Sequence, residues 1–418
     1  MANKIFSLEV LPAKEGDCLV LRYGSKSKQK IAVIDGGPKG VYKAHLEDRL
    51  VQLRTELGVS EQDPMELDWI MVSHVDSDHT AGLIDLTEDI KSRRPNRFVK
   101  PARLWHNTFD DLIGNDAREL EKVVTKSLGT ASLTGDISFD SASEGVAVDA
   151  LMVLANVGKG ITLRDNAETL GALLNDGKGG LVVARADGKA FEVGDGLSFT
   201  VIGPMLDEVE NLQRKHNEFL ESQKRMASPL EALAGFLDPS VTNLSSLVLV
   251  AELGGKTILF TGDARGDKIL EGMQLVGLGD RLHVDVLKGL HHGSDNNVTQ
   301  EFFERVTADH YVFSGNGKHG NPERETLDLL RTARWPDENY KIYFTYEVDD
   351  IDRLRKDDWN DKRRMKEAKG KPPGPAWSVA KHSLAAFFDE HPDMAQRLVP
   401  LQADLPRHRI DLLESPAD

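Results

Sequence analysis

The stretch LDWIMVSHVDSDHTAGL, residues 67–83, determines how this chain is interpreted. It begins as an apolar run typical of a buried strand, and it continues with His74, Asp76, Asp78 and His79 within six positions. Four ionisable side chains crowded at the end of one strand repel or desolvate one another unless a cation compensates them. Imidazole and carboxylate groups both bind divalent metals, so the pattern predicts a metal site at the end of this strand.

Other candidate ligands also follow apolar runs. Asp263 follows ILFTG, the pair His291 and His292 follows VDVLKGL, and His106 follows ARLW. His319 lies in the glycine-rich stretch GNGKHGNPE. An aspartate after glycine is often a turn residue, and a lone histidine is often a core residue, so those alternatives stay open for each position taken alone. The repeated placement of such residues at strand ends favours a single shared site.

Composition limits the classes of function that the chain can have. It has 418 residues, of which 40% are hydrophobic, and a formal net charge of −16. This charge argues against broad electrostatic attraction to nucleic acid or anionic membranes, although a local basic groove is compatible with it. No apolar run is long enough to span a bilayer, the N-terminal residues lack a signal-peptide pattern, and the single cysteine, Cys18, has no partner for a disulfide. We therefore expect a cytoplasmic protein without membrane contact.

Strand-like runs alternate with helical ones, which predicts an α/β fold with a site along one edge of the sheets. The pattern weakens between about 110 and 190, where we expect a variable insertion within a domain spanning 1–350. Apolar positions from Met205 to Met226 predict a helix. Residues 351–418 form a charged C-terminal extension that contains Trp359 and Trp377. It is either a solvated helix and loop or a basic segment beside a phosphate-rich substrate.

Taken together, these motifs resemble the metallo-β-lactamase-fold hydrolases over roughly residues 5–110 and 190–350. HVDSDH is similar to the family's first metal motif, His-x-His-x-Asp-His, and TGDA is similar to its bridging-aspartate motif. LKGLHHGSDNN, GNGKHGNPE and the opening stretches VLPAKEGDCLVL and IAVIDGG resemble the subgroup related to the metal-hydrolase domain of bacterial DNA-uptake channel proteins. The resemblance implies an αββα sandwich, in which two sheets are flanked by helices.

The resemblance also implies two divalent ions, zinc or manganese, held by residues of both halves of the chain. The implied ligands of the first ion are His74, Asp76 and His106, and those of the second are Asp78, His79 and one of His291 or His292, with Asp263 bridging. Asp76 stands where the familiar motif has its second histidine, and this oxygen ligand favours manganese or magnesium relative to zinc. The family's third histidine motif has no clear counterpart, and His106 is the candidate for it. Asp35 is expected to be a hydrogen-bonding partner beneath the site.

The implied activity is metal-dependent hydrolysis, in which a metal-bound hydroxide attacks the substrate. We expect Asp78, His292 and His319 to take part in catalysis, with His319 and the histidine of the pair that does not bind metal contacting a phosphoryl oxygen or the leaving group. A phosphodiester substrate, either a nucleotide or a nucleic acid, is favoured. Hydrolysis of an ester, thioester or lactone is one alternative, and a metal-bound, non-catalytic component of a larger assembly is another. A protein partner or a homo-oligomer is compatible with each of these.

Overall fold

A computed structural model shows a mixed α/β fold with two large sheets, as the sequence predicts. The residues that the structure describes are 3–93, 97–107, 158–175, 180–210, 214, 246–337, 339–402 and 407–416. Among them, no helix is both long and apolar enough to cross a lipid bilayer.

The first sheet has seven strands. They are Lys4–Val10 (β1), Leu19–Ser25 (β2), Lys28–Ile34 (β3), Trp69–Met71 (β5), Arg103–Trp105 (β7), Leu173–Leu174 (β8) and His408–Asp411 (β17). Their spatial order is β17-β1-β2-β3-β5-β7-β8, and the last four of these run parallel. A separate two-stranded parallel ladder pairs Met65–Leu67 (β4) with Val99–Pro101 (β6).

The second sheet has eight strands. They are Phe191–Gly194 (β9), Leu197–Gly203 (β10), Val248–Leu253 (β11), Lys256–Phe260 (β12), Leu282–Lys288 (β13), Val306–Phe313 (β14), Lys341–Phe344 (β15) and Leu398–Val399 (β16). They are ordered β16-β15-β14-β13-β12-β11-β10-β9, and β12 to β16 run parallel. The predicted hairpin between β11 and β12 is present, with Gly254 and Gly255 both at positive φ, as a tight two-residue turn requires.

Helices follow most of the parallel strands. The longer ones are Glu47–Glu56, Ser77–Ser92, 158–170, Gly266–Leu275, Gln300–Arg305, Arg324–Arg334, Val348–Ala368 and Leu384–Glu390. Shorter helical segments are Tyr42–Leu46, Leu290–Gly293, Asp295–Asn297, Lys318–Gly320, Val379–His382 and Pro392–Ala395. Residues 206–210 are helical, at the start of the helix predicted over Met205–Met226. Most of the other residues of that prediction lie outside the described part of the chain.

Three apolar clusters pack these elements together. One joins the two sheets and includes Trp69 and Phe199, whose rings stack 4.4 Å apart. A second joins the first sheet to the helix Ser77–Ser92, where Leu83 is fully buried. The third joins the second sheet to helices on its other face, with Phe302 at its centre. Each sheet therefore contacts the other sheet on one face and helices on the opposite face.

The predicted insertion and C-terminal extension are described in part. Residues 108–157 lie outside the described part of the chain, whereas the helix 158–170 packs Leu163 and Leu170 into the cluster of the first sheet. Beyond residue 350, the chain adds the edge strand β16 to the second sheet and β17 to the first. The boundaries at 110, 190 and 350 stay predictions.

Candidate metal centre

The candidate ligands come together where strands of both sheets end. In the first sheet, β5 leads to His74, and the helix Ser77–Ser92 follows with His79 in its first turn. In the second sheet, β12 leads to Asp263, and β13 leads to His291 and His292. Carboxyl ends of parallel strands share one edge of a sheet, which is why motifs far apart in sequence meet here.

The carboxylate of Asp263 lies at the centre of four imidazoles. Its Oδ1 is 3.3 Å from Nε2 of His79 and 3.4 Å from Nε2 of His292. Its Oδ2 is 3.6 Å from Nε2 of His74 and 3.3 Å from Nε2 of His291. Two ligand atoms that each lie about 2.1 Å from one tetrahedral ion are separated by about 3.4 Å, so these spacings suit ligands of shared ions.

Hydrogen bonds on the far side of the rings determine which nitrogen carries the proton. Nδ1 of His79 lies 2.8 Å from a carboxylate oxygen of Asp35, and Nδ1 of His291 lies 2.9 Å from the amide oxygen of Asn297. These oxygens accept hydrogen bonds, so each Nδ1 donates. In the neutral tautomer, Nε2 then directs a lone pair toward Asp263.

Two serines hold the other two histidines in the same orientation. Ser73 Oγ lies 3.1 Å from Nδ1 of His74, and Ser314 Oγ lies 3.2 Å from Nδ1 of His292. Both hydroxyls donate their own proton to a buried carboxylate, so each serine oxygen accepts from the neighbouring Nδ1. All four Nε2 atoms are thus available as ligands.

Several of the facing atoms lack any hydrogen-bond partner among the described residues. They are Nε2 of His74, Nε2 of His79, Nε2 of His292 and Oδ1 of Asp263, and all four are buried. Leaving one buried polar atom unpaired costs about 1–3 kcal/mol. Four such atoms directed at one place are the arrangement expected where a cation binds, and the imidazole and carboxylate donors suit a divalent transition metal.

Asp76 and Asp78 extend the centre toward solvent. Oδ2 of Asp76 is 3.7 Å from Nε2 of His74, and Oδ2 of Asp78 is 3.9 Å from Nε2 of His79 and 3.7 Å from Nε2 of His292. The donors therefore fall into two groups, one around each oxygen of the central carboxylate. Both His291 and His292 direct Nε2 toward this carboxylate. The sequence offered one or the other as a ligand, whereas the geometry offers both.

The crowding of charge shifts several pKa values. Burial would raise the pKa of Asp263, but the surrounding histidines lower it well below its usual range. Burial would lower the pKa of His292, but Asp263 and Asp17 raise it to about 9. Burial and the neighbouring His79 lower the pKa of His74 to about 4. Without bound cations, protons compensate the carboxylates of this centre.

The pKa values of Asp76 and Asp78, near the mouth of the centre, shift in opposite directions. Burial and the adjacent carboxylate of Asp78 raise the pKa of Asp76 to about 7. Burial acts in the same direction on Asp78, but His79 and His292 lower its pKa. Lys159 lies close by, with its ammonium group donating to the hydroxyl of Ser77.

Asp35 occupies the place expected of it. Its oxygens accept hydrogen bonds from the backbone N–H and the hydroxyl of Ser73, each at 2.7 Å, and from His79. Asp35 therefore holds the His79 ring from the side opposite Asp263. Asp17, Ser73, Lys288 and Ser314 were not among the candidates from sequence, although all four are buried around the centre. Asp17 lies in the opening stretch VLPAKEGDCLVL, which is part of the family resemblance, just before β2.

The structure does not bring His106 or His319 into either group of donors. His106 is buried with both ring nitrogens unpartnered among the described residues, and burial lowers its pKa to about 3. His319 is exposed at the surface on a loop with φ of 63°. That loop contacts the centre through Asn321, whose amide donates to the backbone oxygen of His291 at 3.1 Å. The roles of His106 as a ligand and His319 in catalysis stay predictions.

The charged helix Val348–Ala368 lies against the same loop. Lys362 Nζ is 3.3 Å from the backbone oxygen of His319. Trp359 stacks on His382 with ring centroids 4.3 Å apart, and Trp377 packs against both rings. The first part of this segment is therefore helical, and it adjoins the loop that borders the candidate metal centre. A basic role beside a phosphate-rich substrate stays a prediction.

No protein-family profile matches the chain. A local match relates it to ComE operon protein 3 of Bacillus subtilis (strain 168), with 33% identity over 116 residues. The match covers 26% of this chain and 14% of that protein. The chain thus aligns with a small part of that relative, and the match does not assign the whole chain to a family.

Two solved structures show a low overall similarity. One is the "Putative metal-dependent hydrolase" of Parabacteroides distasonis ATCC 8503, with a TM-score of 0.32, 9% identity, and coverage of 81% of this chain and 93% of that one. The other is a protein of unknown function from Enterococcus faecalis V583, with a TM-score of 0.28, 12% identity, and coverage of 82% and 70%.

Proposed function

We propose that this protein is a metal-dependent hydrolase with a metallo-β-lactamase-like αββα sandwich and two divalent ions. The observation that carries the proposal is the set of four histidine Nε2 atoms around the carboxylate of Asp263, three of them buried without a partner among the described residues. The contact of each sheet with the other sheet and with helices supports the fold assignment. The motif resemblance and the local match to ComE operon protein 3 support it from sequence.

The proposed ligands follow the two groups of donors. One ion would be held by His74, Asp76, His291 and Asp263, and the other by Asp78, His79, His292 and Asp263. Divalent ions supply a bound water of lowered pKa and stabilise negative charge that develops on an oxyanion. Zinc and manganese both accept this mixture of nitrogen and oxygen donors, and the three carboxylates increase the preference for manganese.

This chain's residues hold the ligands before any substrate arrives. Asp35 and Asn297 fix the tautomers of His79 and His291 from the far side of their rings. His319, on the loop attached to His291, is proposed to contact the substrate or to donate a proton to the leaving group. Replacing His319 with alanine should then lower kcat most for substrates with poor leaving groups.

A phosphodiester is the substrate class that we favour. Three carboxylates among the proposed ligands suit hard cations, and those cations are commonly used to stabilise phosphoryl oxygens. Lys159, beside Ser77 at the mouth of the centre, places a cation at the edge of a chain with a net charge of −16. A nucleotide or nucleic-acid backbone would meet this cation, whereas Lys318, on the same loop as His319, is paired with Glu15 at 2.6 Å.

The test is hydrolysis of bis-p-nitrophenyl phosphate by metal-stripped protein reloaded with Mn²⁺ or Zn²⁺. Wild type should turn the substrate over only with metal, and Asp78→Ala should lose this turnover. Asp85→Ala, which removes a carboxylate two turns further along the same helix, is the matched control and should keep it. Bound metal without turnover on this substrate, together with turnover of an ester or thioester, would replace the phosphodiester proposal with acyl hydrolysis. Bound metal with neither activity would favour a non-catalytic component.

A further inference from the structure

We propose that Asp17 and Lys288 form a buried ion pair that positions His292 as a metal ligand, with Asp17 acting as a positioning residue and not as a ligand. This inference rests on the proposed metal centre and adds two residues to it. Neither residue belongs to the set of implied ligands, and the two come from opposite sheets, since Asp17 precedes β2 and Lys288 ends β13.

The pair is fully enclosed in the protein. Nζ of Lys288 lies 2.5 Å from Oδ2 of Asp17, and each residue is 1% exposed. Nζ also lies 3.4 Å from the backbone oxygen of Gly262, which directly precedes Asp263. Burying a lysine and an aspartate is unfavourable unless they are paired and hydrogen-bonded, and Lys288 here contacts both a charge and a carbonyl.

Asp17 transmits this contact to His292. Its Oδ1 lies 3.4 Å from Nδ1 of His292 and accepts a hydrogen bond from Ser314, whose hydroxyl is itself 3.2 Å from the same Nδ1. These oxygens keep the proton on Nδ1 and leave Nε2 facing Asp263. A partner of this type, on the ring nitrogen opposite the ligand atom, orients histidine ligands in metal sites.

The side on which Asp17 lies argues against its being a ligand. It approaches His292 and His79 at their Nδ1 atoms, at 3.4 Å and 3.8 Å, whereas the Nε2 atoms of both rings face Asp263. An ion bound by those Nε2 atoms therefore lies on the other side of the rings. The charge of Asp17 is also already balanced by Lys288, whereas Asp263 faces imidazoles.

The experiment compares metal binding by full-length, metal-stripped protein using titration calorimetry with Mn²⁺. The variants are Asp17→Asn, Lys288→Met and the double variant. The asparagine introduced by Asp17→Asn has the size of the native side chain, but its amide group can donate to Nδ1 of His292 and so shift the ring proton to Nε2. Asp285→Asn is the matched control, because Asp285 lies on the same strand as Lys288 and pairs with Lys256 at 2.5 Å, away from the centre.

We expect Asp17→Asn to weaken binding about 10- to 100-fold without changing the number of ions bound, while Asp285→Asn binds as wild type. Bound Co²⁺ should give the same visible absorption spectrum in Asp17→Asn as in wild type, because the ligands are unchanged. Lys288→Met should weaken Mn²⁺ binding as well. The double variant should bind Mn²⁺ no more weakly than whichever single variant binds it less tightly, because both residues act through one ion pair.

Three results would overturn the inference. The first is Mn²⁺ affinity in Asp17→Asn equal to that of wild type. The second is that Asp17→Asn binds one ion fewer and has a changed Co²⁺ spectrum. The third is a loss of affinity in the double variant equal to the product of the losses in the two single variants. If Lys288→Met does not fold, the Mn²⁺ affinities of Asp17→Asn and Ser314→Ala still test whether these oxygens position His292, and both should be lower than that of wild type. Failure of wild type itself to bind Mn²⁺, Co²⁺ or Zn²⁺ would remove the metal centre, and that result is distinct from failure of a variant alone.

Discussion

Replacing Asp263 with asparagine should abolish the stabilisation of this protein by metal. The carboxylate faces four Nε2 atoms at 3.3–3.6 Å, so it contributes to both groups of donors. Two unit charges about 4 Å apart attract each other by about 4 kcal/mol at an effective dielectric constant of about 20. A ligand oxygen would lie closer than this to a divalent ion, but the cost of burying its charge offsets part of the larger attraction, so the net loss is on the order of 4 kcal/mol. Each factor of ten in affinity corresponds to about 1.4 kcal/mol, so we expect binding to weaken by about three orders of magnitude.

This loss converts directly into a thermal shift. At a metal concentration of about 100 times the wild-type Kd, bound metal stabilises the wild type by about 2.7 kcal/mol, which raises its Tm by a few degrees. At the same concentration, a variant that binds about 1,000-fold more weakly gains less than about 0.1 kcal/mol. Differential scanning fluorimetry with and without Mn²⁺ or Zn²⁺ measures the difference.

The control for this prediction is Asp285→Asn, which removes another partly buried carboxylate of the second sheet and should keep the full metal-dependent shift. A shift in Asp263→Asn as large as that of wild type would refute the central position that we assign to this carboxylate. Equal loss of the shift in both variants would indicate general destabilisation and would also refute it.

Three further predictions concern the protonation of the candidate metal centre, a buried ion pair and the packing of one helix. Because the pKa of His292 is about 9 in the metal-free protein, its proton must leave on metal binding. Displacement of this proton should raise metal affinity about tenfold per pH unit up to about pH 9, where the contribution of His292 ends. Burial would lower the pKa of His79, but Asp263 and Asp35 raise it well above its usual value, so displacement of a proton from His79 should add to the rise, as calorimetry in buffers of different pH will show. Arg49→Met should lower the free energy of unfolding by about 1–3 kcal/mol in denaturant titrations, because it removes two hydrogen bonds to Glu9, at 2.5 and 2.6 Å, while Arg407 still pairs with Glu9 at 3.0 Å. Gly82→Ala should cost about 1–3 kcal/mol and weaken metal binding, because a Cβ there collides with the backbone of Gly36 and displaces the helix that carries two of the proposed ligands, Asp78 and His79.

The α/β class and the position of the centre could be predicted because both depend on local patterns. An apolar run of strand length followed by His74 or Asp263 is visible in the sequence, and the carboxyl ends of parallel strands must meet at one edge. The two-residue strands at sheet edges could not be predicted. Leu173–Leu174 and Leu398–Val399 are too short to show a period, and they are strands only because a neighbouring strand pairs with them.

The contacts that orient the ligands are the part of the centre that the sequence does not reveal. Asp17 and Ser314 are hydrogen-bonded although 297 positions separate them in the chain. A lysine at the end of a strand, such as Lys288, ordinarily extends into solvent, and nothing local indicates that this one is buried. Such residues are buried through contacts with residues that are distant in the sequence, so the three-dimensional structure is needed to identify them.

The backbone of the His291–His292 turn explains how both rings reach the centre. Both residues lie in the left-handed region, with φ of 44° and 56°, which non-glycine residues rarely adopt. Such conformations cost about 1–3 kcal/mol each and persist only where surrounding structure enforces them. The strain coincides with the unpaired Nε2 of His292, so two separate losses of stability occur at one place. Bound cations would compensate both, because the left-handed turn is what directs the imidazoles of two adjacent residues toward one carboxylate.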